Sequence, residues 1–112
     1  MNSPITTHVL DTARGRPAAG IDVTLERLEA GDRWQMLGRD VTNVDGRARA
    51  LLPGDWNLEP GVYRLTFDTG TYFRGLGVEG FYPHVPVVFG LERPESHYHV
   101  PLLLSPYGYS TY

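Results

Sequence analysis

Residues 21–28 read Ile-Asp-Val-Thr-Leu-Glu-Arg-Leu, and the order within this stretch decides the fold class. Ile21, Val23 and Leu25 alternate with Asp22, Thr24 and Glu26. A period of two turns one face of an extended strand toward a core and the other toward water. The same alternation returns in VYRLTF, residues 62–67, with Tyr63, Leu65 and Phe67 on one side and Val62, Arg64 and Thr66 on the other. Working outward, six more short stretches read as strands: 5–10, 34–37 (WQML), 47–52 (RARALL), 85–89 (VPVVF), 97–104 (HYHVPLLL) and 107–112 (YGYSTY). Glycine and proline punctuate them at regular intervals, as in sandwiches and barrels. Arg14-Gly15-Arg16-Pro17 reads as a loop. Asn43-Val44-Asp45-Gly46 reads as a turn, because Asp-Gly tolerates positive φ, and it delivers Arg47 onto a strand. TYFRGLG, residues 71–77, holds one short helix. No repeat, heptad or low-complexity tract interrupts the pattern. The expectation is an all-β, two-sheet antiparallel sandwich of about eight strands with one short helix, a single domain over residues 1–112.

Composition narrows the function. The chain has 112 residues, 41% of them hydrophobic, enough for one core. Its net charge of −3 and the absence of any long run of like charges argue against a nucleic-acid or membrane-surface partner. With no cysteine, disulfides and thiolate chemistry are excluded. The N-terminal MNSPITTHVLD has neither a basic leader region nor an apolar one, and no apolar run approaches the ~20 residues of a membrane span, so a cytoplasmic location is expected.

The titratable residues are more informative. Four histidines occur, His8, His84, His97 and His99. In the strand HYHVPLLL, alternation sets Tyr98, Val100, Leu102 and Leu104 on one face and His97, His99, Pro101 and Leu103 on the other. The two imidazoles then stand roughly 7 Å apart on one surface. Such a pair could flank a substrate or bind zinc, but a metal needs further ligands, and only His8, His84 or a carboxylate could supply them. Taken singly, each histidine reads as an ordinary strand residue. Arg47 and Arg49 also share one face, where a planar guanidinium could hold an anion or polarise a carbonyl. Ser105 lacks a nucleophile-elbow motif, and neither a phosphate loop nor a dinucleotide fingerprint is present.

Four segments together carry a resemblance. TTHVLDTARGRPAAGIDVTL, NVDGR, FYPHVPVVF and HYHVPLLLSPYGYSTY closely resemble the 5-hydroxyisourate hydrolase family, the transthyretin-like enzymes of urate breakdown, over essentially the whole chain. The first and last of these segments are the specific ones. The resemblance implies a transthyretin-like β-sandwich assembled as a homotetramer, a dimer of dimers with active sites at the dimer–dimer interface. It implies hydrolysis of a purine-derived substrate without a cofactor: 5-hydroxyisourate is opened to 2-oxo-4-hydroxy-4-carboxy-5-ureidoimidazoline on the route to allantoin. The family's catalytic residues fall on His8, Arg47 and His99, with His97 a second choice beside His99. His8 and Arg47 would also bind substrate. Family members end in Tyr-Arg-Gly-Ser; Tyr112 matches the first of these positions, where it would line the pocket, and the sequence stops there. In this family the terminal serine helps shape the site.

The trio suits the chemistry. An imidazole with a pKa near 6.5 can take a proton from water at neutral pH, and a constant cation can hold the oxygen on which charge develops. Either His8 or His99 would be the general base, with His8 expected to orient or activate the water and His99 to complete the relay, or the two roles exchanged. Two other classes compete, a non-catalytic carrier of a small aromatic ligand and a monomeric adhesion-type domain. The hormone-carrying branch of the fold lacks the His, Arg and His set. Val85, Val87 and Phe89 alternate with Pro86 and Val88, so this strand is apolar on both faces, which favours either a central place or a subunit contact.

Overall fold

The computed structural model describes residues 2–94 and 97–112. Its strands are β1 (Ile5–Asp11), β2 (Arg16–Pro17), β3 (Asp22–Glu29), β4 (Arg33–Val41), β5 (Arg47–Ala48), β6 (Gly61–Phe67), β7 (Val85–Leu91), β8 (Tyr98–Ser105) and β9 (Gly108–Thr111), with the helix α1 (Thr69–Gly75) between β6 and β7. They form two sheets. One has the order β4-β3-β6-β7; the other runs β2-β1-β8-β9, with β5 also paired to β1. β5 and β2 share one edge of β1, β5 at Thr7 and His8 and β2 at Leu10 and Asp11. The pairings are antiparallel except that of β1 with β8, which is parallel. These two strands stand near opposite ends of the chain, so the rest of the fold serves as their crossover.

The alternation that marked the strands also fills the core. Ile5, Val9, Leu102 and Leu104 from one sheet meet Val23, Leu25, Leu65, Phe67 and Val85 from the other, all buried. Burying one such side chain is worth about 1.5–3 kcal/mol, so the facing sheets hold each other without disulfides. Among the described residues, no helix is long and apolar enough to cross a membrane.

Several boundaries differ from those read in the sequence; β4, read as 34–37, runs over Arg33–Val41, and three further differences bear on the site or the core. Arg16–Pro17, taken as loop, forms the short strand β2 against the end of β1. The stretch 47–52 is strand only over Arg47–Ala48, because Leu51 and Leu52 turn inward as core residues. Their turn presses on β4. A Cβ at Gly38 would drive into the carbonyl oxygen of Leu51, so the strand needs glycine there. The pairing of β3 with β4 slips at this point, between Leu25 and Glu26, leaving Leu37 as an extra residue. α1 begins at Thr69 rather than 71, because Asp68 caps it: its carboxylate accepts the Thr71 N–H at 3.3 Å and the Thr71 hydroxyl at 2.8 Å.

Candidate active site

The outer face of the five-stranded sheet carries the candidate residues, and strand register sets their places. In β1, Ile5, Thr7, Val9 and Asp11 are buried beneath the sheet, which sends Thr6, His8 and Leu10 to the outer face. β8 lies beside β1 with Thr6 opposite His99 and His8 opposite Pro101. On the other side of β1, His8 faces Arg47 of β5. One transverse row therefore reads Arg47, His8, Pro101, and the next holds Thr6 and His99.

Arg47 reaches this row through the turn before it. Gly46 N–H bonds the Asn43 carbonyl at 2.8 Å, and the Asn43 side-chain oxygen accepts the N–H groups of Asp45 (2.9 Å) and Arg47 (3.1 Å). Gly46 has φ 76°, and its carbonyl accepts the Val9 N–H at 2.8 Å. A Cβ there would meet the Val9 carbonyl oxygen. Asp-Gly thus supplies both the positive φ and the close approach that clamp the turn onto β1.

A cavity of about 310 Å³ opens on this face, lined by Thr6, Thr7, Arg47, Arg49, His97 and His99, with Asn2 at its rim. None of these described lining residues is acidic. A chain of net charge −3 thus presents a cationic concavity, which favours an anionic or carbonyl-rich ligand. The Thr6 hydroxyl, only 4% exposed as a residue, lies 2.9 Å from Nδ1 of His99 and 3.1 Å from Nε2 of His97. Burial lowers the His99 pKa below the ordinary 6.5, and the positive charges of Arg47, His8 and His97 push the same way. At neutral pH His99 is therefore an uncharged imidazole able to accept a proton.

The expected residues are not all brought together. Arg47 and His99 line the cavity, with His97 beside them. His8 sits half-buried in the row with Arg47 and acts on His99 through its charge, but is not part of the cavity wall. Tyr112 is further off. Thr111 pairs with Leu102, so Tyr112 comes level with Pro101 on the far edge, three strand spacings or roughly 14 Å from Arg47, and it is 82% exposed. His84, exposed ahead of β7, does not line the cavity. Among the described residues, no group of three or more His, Cys, Asp or Glu is placed to hold a metal ion. Sequence reading passed over Thr6. The available signal was parity, because Thr6 stands two residues before His8 and so shares its face.

With this geometry in view, comparison with known proteins is informative. The sequence model of the HIUase/Transthyretin family matches residues 5–112. The chain belongs to that family. The HIUase/Transthyretin family includes proteins similar to this chain under both of its names. The 5-hydroxyisourate hydrolase of Mus musculus is 50% identical over 112 residues, covering 99% of this chain and 94% of its own. The structure of Klebsiella pneumoniae 5-hydroxyisourate hydrolase superposes with a TM-score of 0.82 at 36% identity, covering 98% of this chain and 97% of the other. Sea bream transthyretin, solved in complex with thyroxine, superposes with a TM-score of 0.90 at 32% identity, covering 98% of this chain and 93% of the other. Backbone likeness is thus higher to the thyroxine complex, while sequence identity is higher to the hydrolases. Because fold alone does not assign activity, the side chains on the outer face must decide.

Proposed function

We propose that this chain is a 5-hydroxyisourate hydrolase whose site is the Arg47, His8 and His99 face, and that it opens the substrate ring by attack of water on a ring carbonyl. The observation that carries the reading is the cavity in which Arg47 and Arg49 stand beside His99 with no acidic residue among its described lining. An uncharged His99 takes the proton from water. Arg47 holds the carbonyl oxygen as it becomes negative, an interaction stronger in the transition state than in the ground state. Arg49 adds attraction for the flat, electron-rich substrate, and His8 orients the water. The hydrolysed bond is the C–N bond whose cleavage leaves a carboxylate on one side and a ureido nitrogen on the other. These steps need no cofactor.

The working unit is proposed to be a homotetramer, a dimer of dimers, built from one domain spanning the chain. Three features support assembly. β7 and β9 are sheet edges; Val88 and Tyr109 on them, and Tyr112 just after β9, are large and exposed; and the proposed catalytic face itself lies open. Packing this face against a second dimer would enclose the cavity and turn Tyr112 from an isolated edge residue into a wall of a shared channel.

A second reading, carriage of a small aromatic ligand, is favoured by the backbone likeness to the thyroxine complex. One assay separates the two. When 5-hydroxyisourate is generated from urate and followed by its near-ultraviolet absorbance, the chain should accelerate its decay well beyond the spontaneous rate. Decay at the spontaneous rate would leave the carrier reading in place of the enzyme.

A further inference from the structure

Thr6 places one hydroxyl between two imidazoles, 2.9 Å from Nδ1 of His99 and 3.1 Å from Nε2 of His97. A hydroxyl has a single proton, so it donates to one ring and accepts from the other. Two arrangements satisfy both contacts with neutral rings. In the first, His99 donates its Nδ1–H to Thr6 and Thr6 donates to Nε2 of His97. His99 then keeps Nε2, its one remaining ring nitrogen, as a bare base. In the second, both bonds are reversed and His99 carries its proton on Nε2. Passage from the first to the second moves two protons along the chain while His99 gains a proton at Nε2 and His97 loses one at Nδ1.

We propose that Thr6 is a positioning residue which, with His97, sets the tautomer of His99 and passes a proton between the two rings during turnover. The proposal rests on the hydrolase reading and deepens it by choosing His99 over His8 as the base. As the water oxygen bonds to the ring carbonyl carbon, the carbonyl electron pair moves onto its oxygen and Nε2 of His99 takes one proton of the water. The Nδ1 proton of His99 passes to Thr6, and the Thr6 proton passes to Nε2 of His97. His97 is then the imidazolium, and His99 is neutral with a proton on Nε2. When the carbonyl re-forms and the C–N bond breaks, the leaving nitrogen takes that Nε2 proton and the two relay protons run back. The second proton of the water leaves with the new carboxyl group.

The direction of the relay follows from the surroundings. A cationic His99 would feel the positive charges of Arg47 and His8, whereas His97, also exposed, stands two residues further from the row that holds those two. Moving the charge outward one ring relieves that repulsion. Thr6 is also held rigidly enough to serve: it is buried on the central strand β1, in register with His99. The tautomer of an imidazole is set by the bond its other nitrogen makes, so loss of the hydroxyl removes the preference for Nδ1–H.

Thr6→Val, nearly equal in shape, and Thr6→Ser, which keeps the hydroxyl, test the proposal. Nitrogen-15 NMR should show neutral His99 as the Nδ1–H form in the unsubstituted chain and in Thr6→Ser, and as mainly the Nε2–H form in Thr6→Val. The kcat of Thr6→Val should fall by about 10-fold or more with KM little changed, and that of Thr6→Ser should largely recover. An unchanged tautomer in Thr6→Val, or Thr6→Ser as impaired as Thr6→Val, overturns the positioning role. If Thr6→Val does not fold, His97→Phe at an exposed position keeps the question open to measurement: a lowered kcat supports the relay, and an unaltered kcat overturns it. The NMR comparison needs no turnover. An inactive unsubstituted chain would therefore defeat the hydrolase reading while the tautomers still report on Thr6.

Discussion

Arg47 connects the electrostatics of the face to its chemistry, because the same charge that would hold the developing oxyanion also helps keep His99 neutral. Burial is the larger cause of the lowered His99 pKa, with Arg47 first among the charges. Arg47→Gln should therefore raise the His99 titration midpoint toward the ordinary 6.5 without restoring it fully, read by NMR. The same substitution should lower kcat by roughly 10²–10³-fold, the usual loss on removing one oxyanion donor. An unmoved midpoint would mean that Arg47 and His99 do not share the face as described. At this scale the sequence was partly legible. Alternation set His97 with His99 on one face of their strand and Arg47 with Arg49 on one face of theirs; that the two faces form one surface follows from the pairing of β1 with β5 and β8. It could not show that Thr6 lies between the two imidazoles, because that contact depends on the parallel register of β1 and β8, strands separated by most of the chain.

Among the elements, the Asn43–Gly46 turn and β5 matter most, since two residues of strand must hold the guanidinium proposed to be catalytic. The turn was readable from its residue types, because Asp-Gly chemistry is local. The shortness of β5 was not, since Leu51 and Leu52 leave the strand to fill space against Gly38, a packing decision made by the whole sandwich. β2 was hidden for a similar reason: its two residues become strand only because β1 offers a free edge there. Gly46→Ala should cost about 2 kcal/mol or more by urea unfolding, since it combines strain at φ 76° with a clash at Val9. Activity of the folded fraction should fall as well, because Arg47 is carried by that turn. Unaltered stability would show that the turn is not clamped onto β1.

For the whole molecule, the alternation of residues 21–28 and 62–67 was sufficient to indicate a two-sheet sandwich, because each sheet must bury one face. What lies beyond one chain was less accessible. β7 proved to be an edge strand rather than a central one, which leaves its outer apolar residues Pro86 and Val88 exposed and turns an ambiguity of the sequence into a candidate contact. Val88→Lys with Tyr109→Lys should lower the mass seen by light scattering from that of a tetramer to that of smaller species; a monomeric parent chain would rule out the assembly. The central claim is that a neutral histidine on this face activates water, and kcat/KM for 5-hydroxyisourate hydrolysis as a function of pH tests it most directly. Because the His99 pKa is lowered from 6.5, the base stays unprotonated through neutral pH and is lost only on further acidification. The expected profile is level near neutrality and falls in acid with a midpoint below 6.5. A profile with no fall in acid, or one whose fall is centred above 6.5, would contradict it.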